Sequence, residues 1–507
     1  MQPDAHPNSQ TPRSRVAALD AKNALLWIAF AFCVYGFFCP YFVLSAFGEI
    51  RSPYIHGNEN SHIALVRAIV EQGTFEVGGI PGYTGDLALA EGTRYSNKPP
   101  GFALLLVPWY ALFYHVALPH LTGNIVPNFL YAVPAALGAL SIGLVYLLTL
   151  ELGGSRRAAS YGALLTGFAT IVLVYSTLLF NNIATVFFTL LTIWAAFVYG
   201  RTGRPGFFVL ACFTAGYCGL TKYTAPVLLI PVGIYLTAQL IAHGRDGHPC
   251  RTLACGVVAL LLPLVVLACY HHACFGAFYS ISYTHERPGL PLGHTEAYMG
   301  QSIARGIWNI LFGRARGVFV HTPVLLAAVP GAFWAARHPG RRGQLAVLAT
   351  AIAIYVLLWS PYLYWHGGSS FGARHTLPVV PLLGICAALC YDRLSRRGRL
   401  LMLAATIPSV VVHAILVLLN HHQTVILQTW TNKDDPGGGR LAHLYGDILV
   451  QAHEIFHLPA QRGGILGSGA FTWMKLLATL TALALGGVLV ARYLRTHETA
   501  QHEAPRE

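Results

Sequence analysis

Asn97-Lys98-Pro99-Pro100-Gly101-Phe102-Ala103-Leu104-Leu105-Leu106-Val107-Pro108-Trp109-Tyr110-Ala111-Leu112-Phe113-Tyr114-His115-Val116-Ala117-Leu118 is the stretch on which the reading of this chain turns. Its part from 101 to 118 is apolar and close to the roughly 17–25 residues that cross a bilayer. Whether it crosses decides the side on which every later loop lies. Other apolar runs lie at 24–47, 125–150, 160–179, 184–200, 207–221, 224–242, 252–270, 321–336, 345–363, 376–391, 401–419 and 470–490, about twelve spans in all. The positive-inside rule arbitrates. With the amino terminus cytoplasmic and 101–118 not crossing, Arg156/Arg157, Arg201/Arg204, Arg245/Arg251, Arg337/Arg341/Arg342, Arg393/Arg396/Arg397/Arg399 and Arg492/Arg495 all fall inside. If 101–118 crossed, all of them would lie outside. The stretch is therefore expected along the outer interface, which suits Trp109, Tyr110 and Tyr114.

The composition agrees. The 507 residues are 55% hydrophobic and only 10% charged, with mean hydropathy +0.53; a soluble domain carries roughly 25% charged residues. The net charge of +13 would suggest nucleic acid in a soluble chain. Here the cytoplasmic segments hold 19 Lys and Arg against 8 Asp and Glu, and the outer segments 14 against 12. The excess records membrane orientation, so no nucleic-acid partner is expected. Cysteines such as Cys33, Cys212, Cys218 and Cys386 sit inside apolar runs, and no C-x-x-C pair indicates a zinc ribbon or a disulfide framework.

This topology gives a cytoplasmic disordered tail at 1–23, a transmembrane module at 24–420, and outer loops at 48–123, 271–320 and 364–375. An outer loop of unassigned role follows at 421–469, and 470–507 forms the last span and a cytoplasmic tail. The acidic residues avoid the spans and collect in the outer loops, which favours chemistry on the outer face over a transporter or lipid flippase, where polar groups sit at mid-span.

In the first outer loop, Gly57-Asn58-Glu59-Asn60-Ser61-His62 precedes an apolar stripe at Ile63, Val66, Ile69 and Val70 that ends at Gly73. The spacing predicts a short amphipathic helix with Asn58 as N-cap and Gly73 as C-cap. Glu59 in its first turn either complements the helix dipole or does chemistry. Asp86 follows, then Lys98 just before a Pro-Pro helix start. A cation beside the free N–H groups of a helix start suits a phosphate, whether of a substrate or of a lipid headgroup. Lys222, at the outer end of a span, reads as snorkelling to headgroups.

An acidic residue opening a loop helix after the first span, then a Lys-Pro-Pro helix on the membrane surface, resembles the GT-C superfamily of glycosyltransferases. It looks like the family 39-like branch of protein O-mannosyltransferases and aminoarabinose transferases. Arg316-Gly317-Val318-Phe319-Val320-His321-Thr322-Pro323 and Trp365-His366-Gly367-Gly368-Ser369-Ser370-Phe371-Gly372-Ala373-Arg374-His375 are similar to bacterial members. The resemblance implies an all-α polytopic enzyme with interfacial helices in the first outer loop. It also implies transfer, with inversion, of a sugar from a polyprenyl-phosphate donor to a lipid, glycan or protein hydroxyl. The cell would be bacterial, the membrane its cytoplasmic (inner) membrane, and the site extracytoplasmic. Lys98 matches the family's phosphate-contacting lysine, with Arg374 a second clamp and Arg316, His366 and Arg314 further candidates. Where the family has Asp-Glu, this chain has Asn58-Glu59, and an amide takes no proton. Glu59 or Asp86 then supplies the carboxylate base.

His453-Glu454-Ile455-Phe456-His457 fits H-E-x-x-H, in which two histidines and a glutamate share one helix face in zinc peptidases. No further acid or histidine follows before the last span, so a third ligand would have to come from upstream. His453, Glu454 and His457 stand as the candidates for a divalent metal ion.

Overall fold

The computed structural model describes residues 12–38, 57–80, 86–117, 129–244, 249–286, 299–313, 316–363, 365, 367 and 371–418. Within them the chain is helical: α1 (Pro12–Phe38), α2 (Gly57–Arg67), α3 (Gly101–Leu112), α4 (Ala132–Glu151), α5 (Arg156–Phe168), α6 (Ile171–Tyr175), α7 (Asn181–Thr202), α8 (Pro205–Thr221) and α9 (Ala225–His243). Then come α10 (Pro249–Phe275), α11 (Ile303–Phe312), α12 (Val318–His321), α13 (Ala328–Ala336), α14 (Arg342–Trp359), α15 (Val380–Arg393) and α16 (Arg396–Leu418). A hairpin of β1 (Leu87–Ala90) and β2 (Thr93–Ser96) interrupts the first loop.

By length and composition, 7 stretches among the described residues can cross a membrane: Leu19–Phe38, Ala132–Glu151, Asn181–Thr202, Ala225–His243, Pro249–Phe275, Pro339–Trp359 and Arg374–Arg393. Every other expected span up to 401–419 falls on helix too, while 470–490 lies outside the described residues. The first helix begins at Pro12, inside the stretch read as a tail. Helix α3 has 12 residues and runs on as a π-helical turn of 5, Phe113–Ala117; at no more than about 1.5 Å each the whole reaches roughly 25 Å, short of a hydrocarbon core of about 30 Å.

Two spans are broken. Between α5 and α6 the helix stops at Ala169, and Thr170 caps the new start by accepting from Val172 N at 3.2 Å. Thr322, at the break before the 3-10 turn Pro323–Ala327, donates to Ala169 O at 2.7 Å. The side chain at one interruption thus satisfies a backbone carbonyl left open at the other, as an apolar surrounding requires.

The core runs along α4, which packs on α1, α5 and α7; α7 packs on α8 and α9, and α15 on α5 and α13. One end of the bundle is tied by charge. Arg156 meets Asp20 at 2.6 Å, Arg201 meets Glu151 at 2.8 Å, and Ser155 N donates to Asp392 Oδ2 at 2.9 Å. Arginines of the expected cytoplasmic clusters gather there.

At the other end, α3 starts on the end of α8. Tyr217 donates to Gly101 O at 3.1 Å, and a Cβ on Gly101 would stand 2.5 Å from Leu220 O. Backbone cannot step aside as a side chain can. Gly101→Ala is expected to cost about 1–3 kcal/mol and to lower the melting temperature in detergent. Gly206→Ala, where nothing lies within 4 Å, is the control.

Candidate active site

The hairpin assembles the first half of the site. Glu91 and Gly92 both have positive φ, 49° and 83°, the two-residue turn whose twist matches a hairpin. It fixes the register Leu87↔Ser96, so the residues just beyond, Asp86 and Asn97-Lys98, meet at the open end. Lys98 Nζ lies 3.0 Å from Asp86 Oδ2. From α2, Ser61 Oγ donates to Asp86 O at 2.9 Å and stands 2.7 Å from Ser96 Oγ. Gly57, one turn earlier, lies close enough that a Cβ there would stand 3.3 Å from Asp86 Cγ.

Burial pushes the Asp86 carboxyl up, but Lys98, with Arg374 and His62 behind it, reverses that and holds it below the usual carboxylate range. His62 is buried edge-on to Phe102, and burial together with the Lys98 charge takes its imidazole down to about 3, against the pull of Asp86. It is neutral at any physiological pH.

A segment of the next large loop closes over the hairpin. Ala88 bridges Glu286 in antiparallel fashion, and Asn97 Nδ2 donates to Glu286 Oε1 at 2.8 Å. Ser282 Oγ donates to Asn97 O at 2.8 Å, and the Tyr223 hydroxyl reaches both Ser282 Oγ (3.1 Å) and His271 Nε2 (2.9 Å). Burial raises the Glu286 carboxyl to about 7, with Asp86 adding to the rise and Lys98 and the Asn97 hydrogen bond opposing it.

Cations line the side opposite. Arg374 opens the 3-10 turn Arg374–Val379, held by Asn182 Nδ2 donating to its carbonyl at 2.7 Å. Its guanidinium lies 5.6 Å from the Phe180 ring centre. Gly367, at φ 76°, folds so close over it that a Cβ would meet Arg374 Cγ at 2.5 Å. Lys222 is 8% exposed, 5.2 Å from the Trp359 ring centre and 3.5 Å from His375 O. Burial, with the Arg374 charge, brings its ammonium down to about 7. The expectation that Lys222 snorkels to headgroups is thus wrong: it turns inward, onto an aromatic floor. Arg316 is buried near Tyr175 and Arg374; burial lowers it to about 10, Tyr175 opposing and Arg374 adding.

Residues 99–269 match the family model described as dolichyl-phosphate-mannose-protein mannosyltransferase. The fold resembles ArnT from Cupriavidus metallidurans bound to undecaprenyl phosphate, with TM-score 0.53 and 19% identity over 92% of this chain and 77% of that one. The apo form of the same ArnT gives TM-score 0.52 and 18% identity over 91% and 76%. No curated protein matches the sequence. Fold and family model together indicate a GT-C glycosyltransferase.

Within this GT-C frame, Asp86, Lys98 and Arg374 come together, with Arg316 behind Arg374. Glu59 faces elsewhere. Gly57 and Ser61, four apart, share the face of α2 that meets Asp86; Glu59, midway between, points to the opposite face. There it is 2% exposed and accepts from Leu179 N at 2.9 Å and Tyr131 Oη at 3.2 Å. Asn58 does not cap: the helix already includes Gly57, and Asn58 Oδ1 is buried without a hydrogen-bond partner among the described residues. Gly73 does close the helix, in the left-handed conformation. His366, Arg314, His453, Glu454 and His457 lie outside the described residues. Among the described residues no group of three or more His, Cys, Asp or Glu is placed to hold a metal ion.

Sequence reading missed Glu286 and the hairpin that receives it. The hairpin had a signal, a Glu-Gly pair between the short runs Leu-Ala-Leu-Ala and Thr-Arg-Tyr-Ser. Glu286 had only its place in an acid-bearing loop expected on the outer side.

Proposed function

We propose that the chain transfers a glycosyl group, with inversion, from a polyprenyl-monophosphate donor to a hydroxyl acceptor on the outer face of the membrane. The acceptor class is a lipid, glycan or protein hydroxyl. The observation that carries the reading is that Lys98, placed by the hairpin before the α3 start, and Arg374, held by the Asn182 clamp, both bear on Asp86 in a GT-C fold. An ammonium has three donors and Asp86 takes one, which leaves Lys98 able to bind a phosphate oxygen while its own charge stays oriented. Arg374 offers a planar fork. As the bond to the sugar breaks, negative charge grows on the phosphate. Fixed cations then stabilise the transition state more than the ground state. The arginine-rich end lies opposite the site, which supports an outer-face location by the positive-inside rule. The polyprenyl chain needs only an apolar groove between helices.

A carboxylate on this face takes the acceptor proton. The test uses purified protein, a panel of radiolabelled undecaprenyl-phosphate sugars and cell-envelope extract as acceptor source. The double variant Glu59→Gln, Asp86→Asn is expected to lose about 10²-fold or more in turnover, because it removes the buried α2 anchor and the partner of Lys98 together. Full activity in that variant sinks the reading.

A further inference from the structure

We propose that Glu286 is the base that removes the acceptor proton, its carboxylate standing in for the one that Asn58 lacks. The proposal rests on the glycosyl-transfer reading above and names the group that completes it.

The geometry separates the three carboxylates near the site. Glu59 is spent on Leu179 N and Tyr131 Oη, on the face of α2 turned from the hairpin. Asp86 is spent on Lys98 at 3.0 Å. Glu286 is 7% exposed and anchored through one oxygen only: Oε1 accepts from Asn97 Nδ2 at 2.8 Å, while Oε2 is buried without a hydrogen-bond partner among the described residues. A buried carboxylate oxygen without a donor among the described residues is open to a further one, and an acceptor hydroxyl is such a donor. The anchor fixes where that oxygen sits. Asn97 is the residue before Lys98, and the Ala88 bridge holds Glu286 two residues from Asp86 along the hairpin edge.

The charged groups around Glu286 favour the role. Lys98 and Asp86 act on it from the first outer loop, Asn97 supplies the neutral donor, and Tyr283 of its own segment feels the charges of both Glu286 and Arg374. Asp86, held low by Lys98, is a poor proton acceptor at neutral pH, whereas a carboxyl near 7 matches the proton it must take.

In the step, the acceptor oxygen forms its bond to the anomeric carbon as the bond from that carbon to the phosphate oxygen breaks. The phosphate leaves with the electron pair, beside Lys98 and Arg374. The acceptor proton passes to Glu286 Oε2, which becomes a neutral carboxylic acid and later returns the proton to water.

The same assay tests it, together with direct binding of undecaprenyl phosphate. Glu286→Gln keeps the Asn97 hydrogen bond and the side-chain size. It is expected to lower kcat by about 10²–10⁴-fold, to leave undecaprenyl phosphate affinity within about threefold, and to abolish an acidic limb in the wild-type pH–rate profile. That limb should fall as pH drops through about 7, because protonated Glu286 cannot accept. Glu286→Asp should recover part of the rate and restore the limb. A Glu286→Gln enzyme with wild-type kcat and an unchanged limb overturns the assignment while the transfer reading stands. Loss of phosphate binding and of thermal stability in both variants overturns it as well, in favour of a purely structural Glu286. No transfer by the wild type from any donor overturns the functional reading itself.

Discussion

Lys98→Ala is expected to weaken undecaprenyl phosphate binding by about 10²–10³-fold, or roughly 3–4 kcal/mol, and to depress turnover at least as far. Two effects add. The phosphate loses a fixed cation that sits 5% exposed, where water screens little of its field. Asp86 loses the partner that keeps its charge compatible with burial, and breaking such a pair from one side leaves an uncompensated charge. The second effect also lowers stability, so binding and folding must be read apart. Lys98→Met combined with Asp86→Asn removes both charges and should recover most of the melting temperature without recovering affinity. If the double variant binds undecaprenyl phosphate as the wild type does, Lys98 has no part in holding the donor.

Arg374→Ala should cost about 10²-fold in kcat/KM, with Arg374→Lys recovering only a minor part. The guanidinium is held in place from several sides: Asn182 fixes its backbone, the Phe180 ring supports its face and Gly367 covers its stem. A lysine restores the charge but neither the fork nor the flat contact. Removing Arg374 also relieves the charge that helps to lower Lys222 and Arg316, so both should hold their protons more tightly in the variant. Isothermal titration with undecaprenyl phosphate against pH measures both effects. An Arg374→Lys enzyme with wild-type kcat/KM would show that charge alone suffices.

What could be read early follows from which interactions are local. The seven long apolar helices were legible because an apolar run of sufficient length is a property of consecutive residues, and the expected orientation from the arginine clusters follows the same one-dimensional logic. The α3 start was legible too, since Pro99-Pro100 ahead of an apolar run marks a helix beginning. Helix breaks at Ala169 and Thr322 were not: the runs 160–179 and 321–336 stay apolar through them, and each break is stabilised by its hydrogen bond to the other, 153 residues away.

The site divides in the same way. The sequence by itself determined that a lysine precedes a helix start, that an arginine lies in a glycine-rich turn, and that Asn58 stands where a carboxylate was expected. Only the tertiary structure decided which partner each acid meets. The hairpin register gives Asp86 to Lys98, the period of α2 turns Glu59 toward Leu179, and a single bridge from Ala88 brings Glu286 across 198 positions of chain. The partners of those three carboxylates are set by contacts between residues far apart in the chain. Local pattern carries no information about such contacts until the chain has folded.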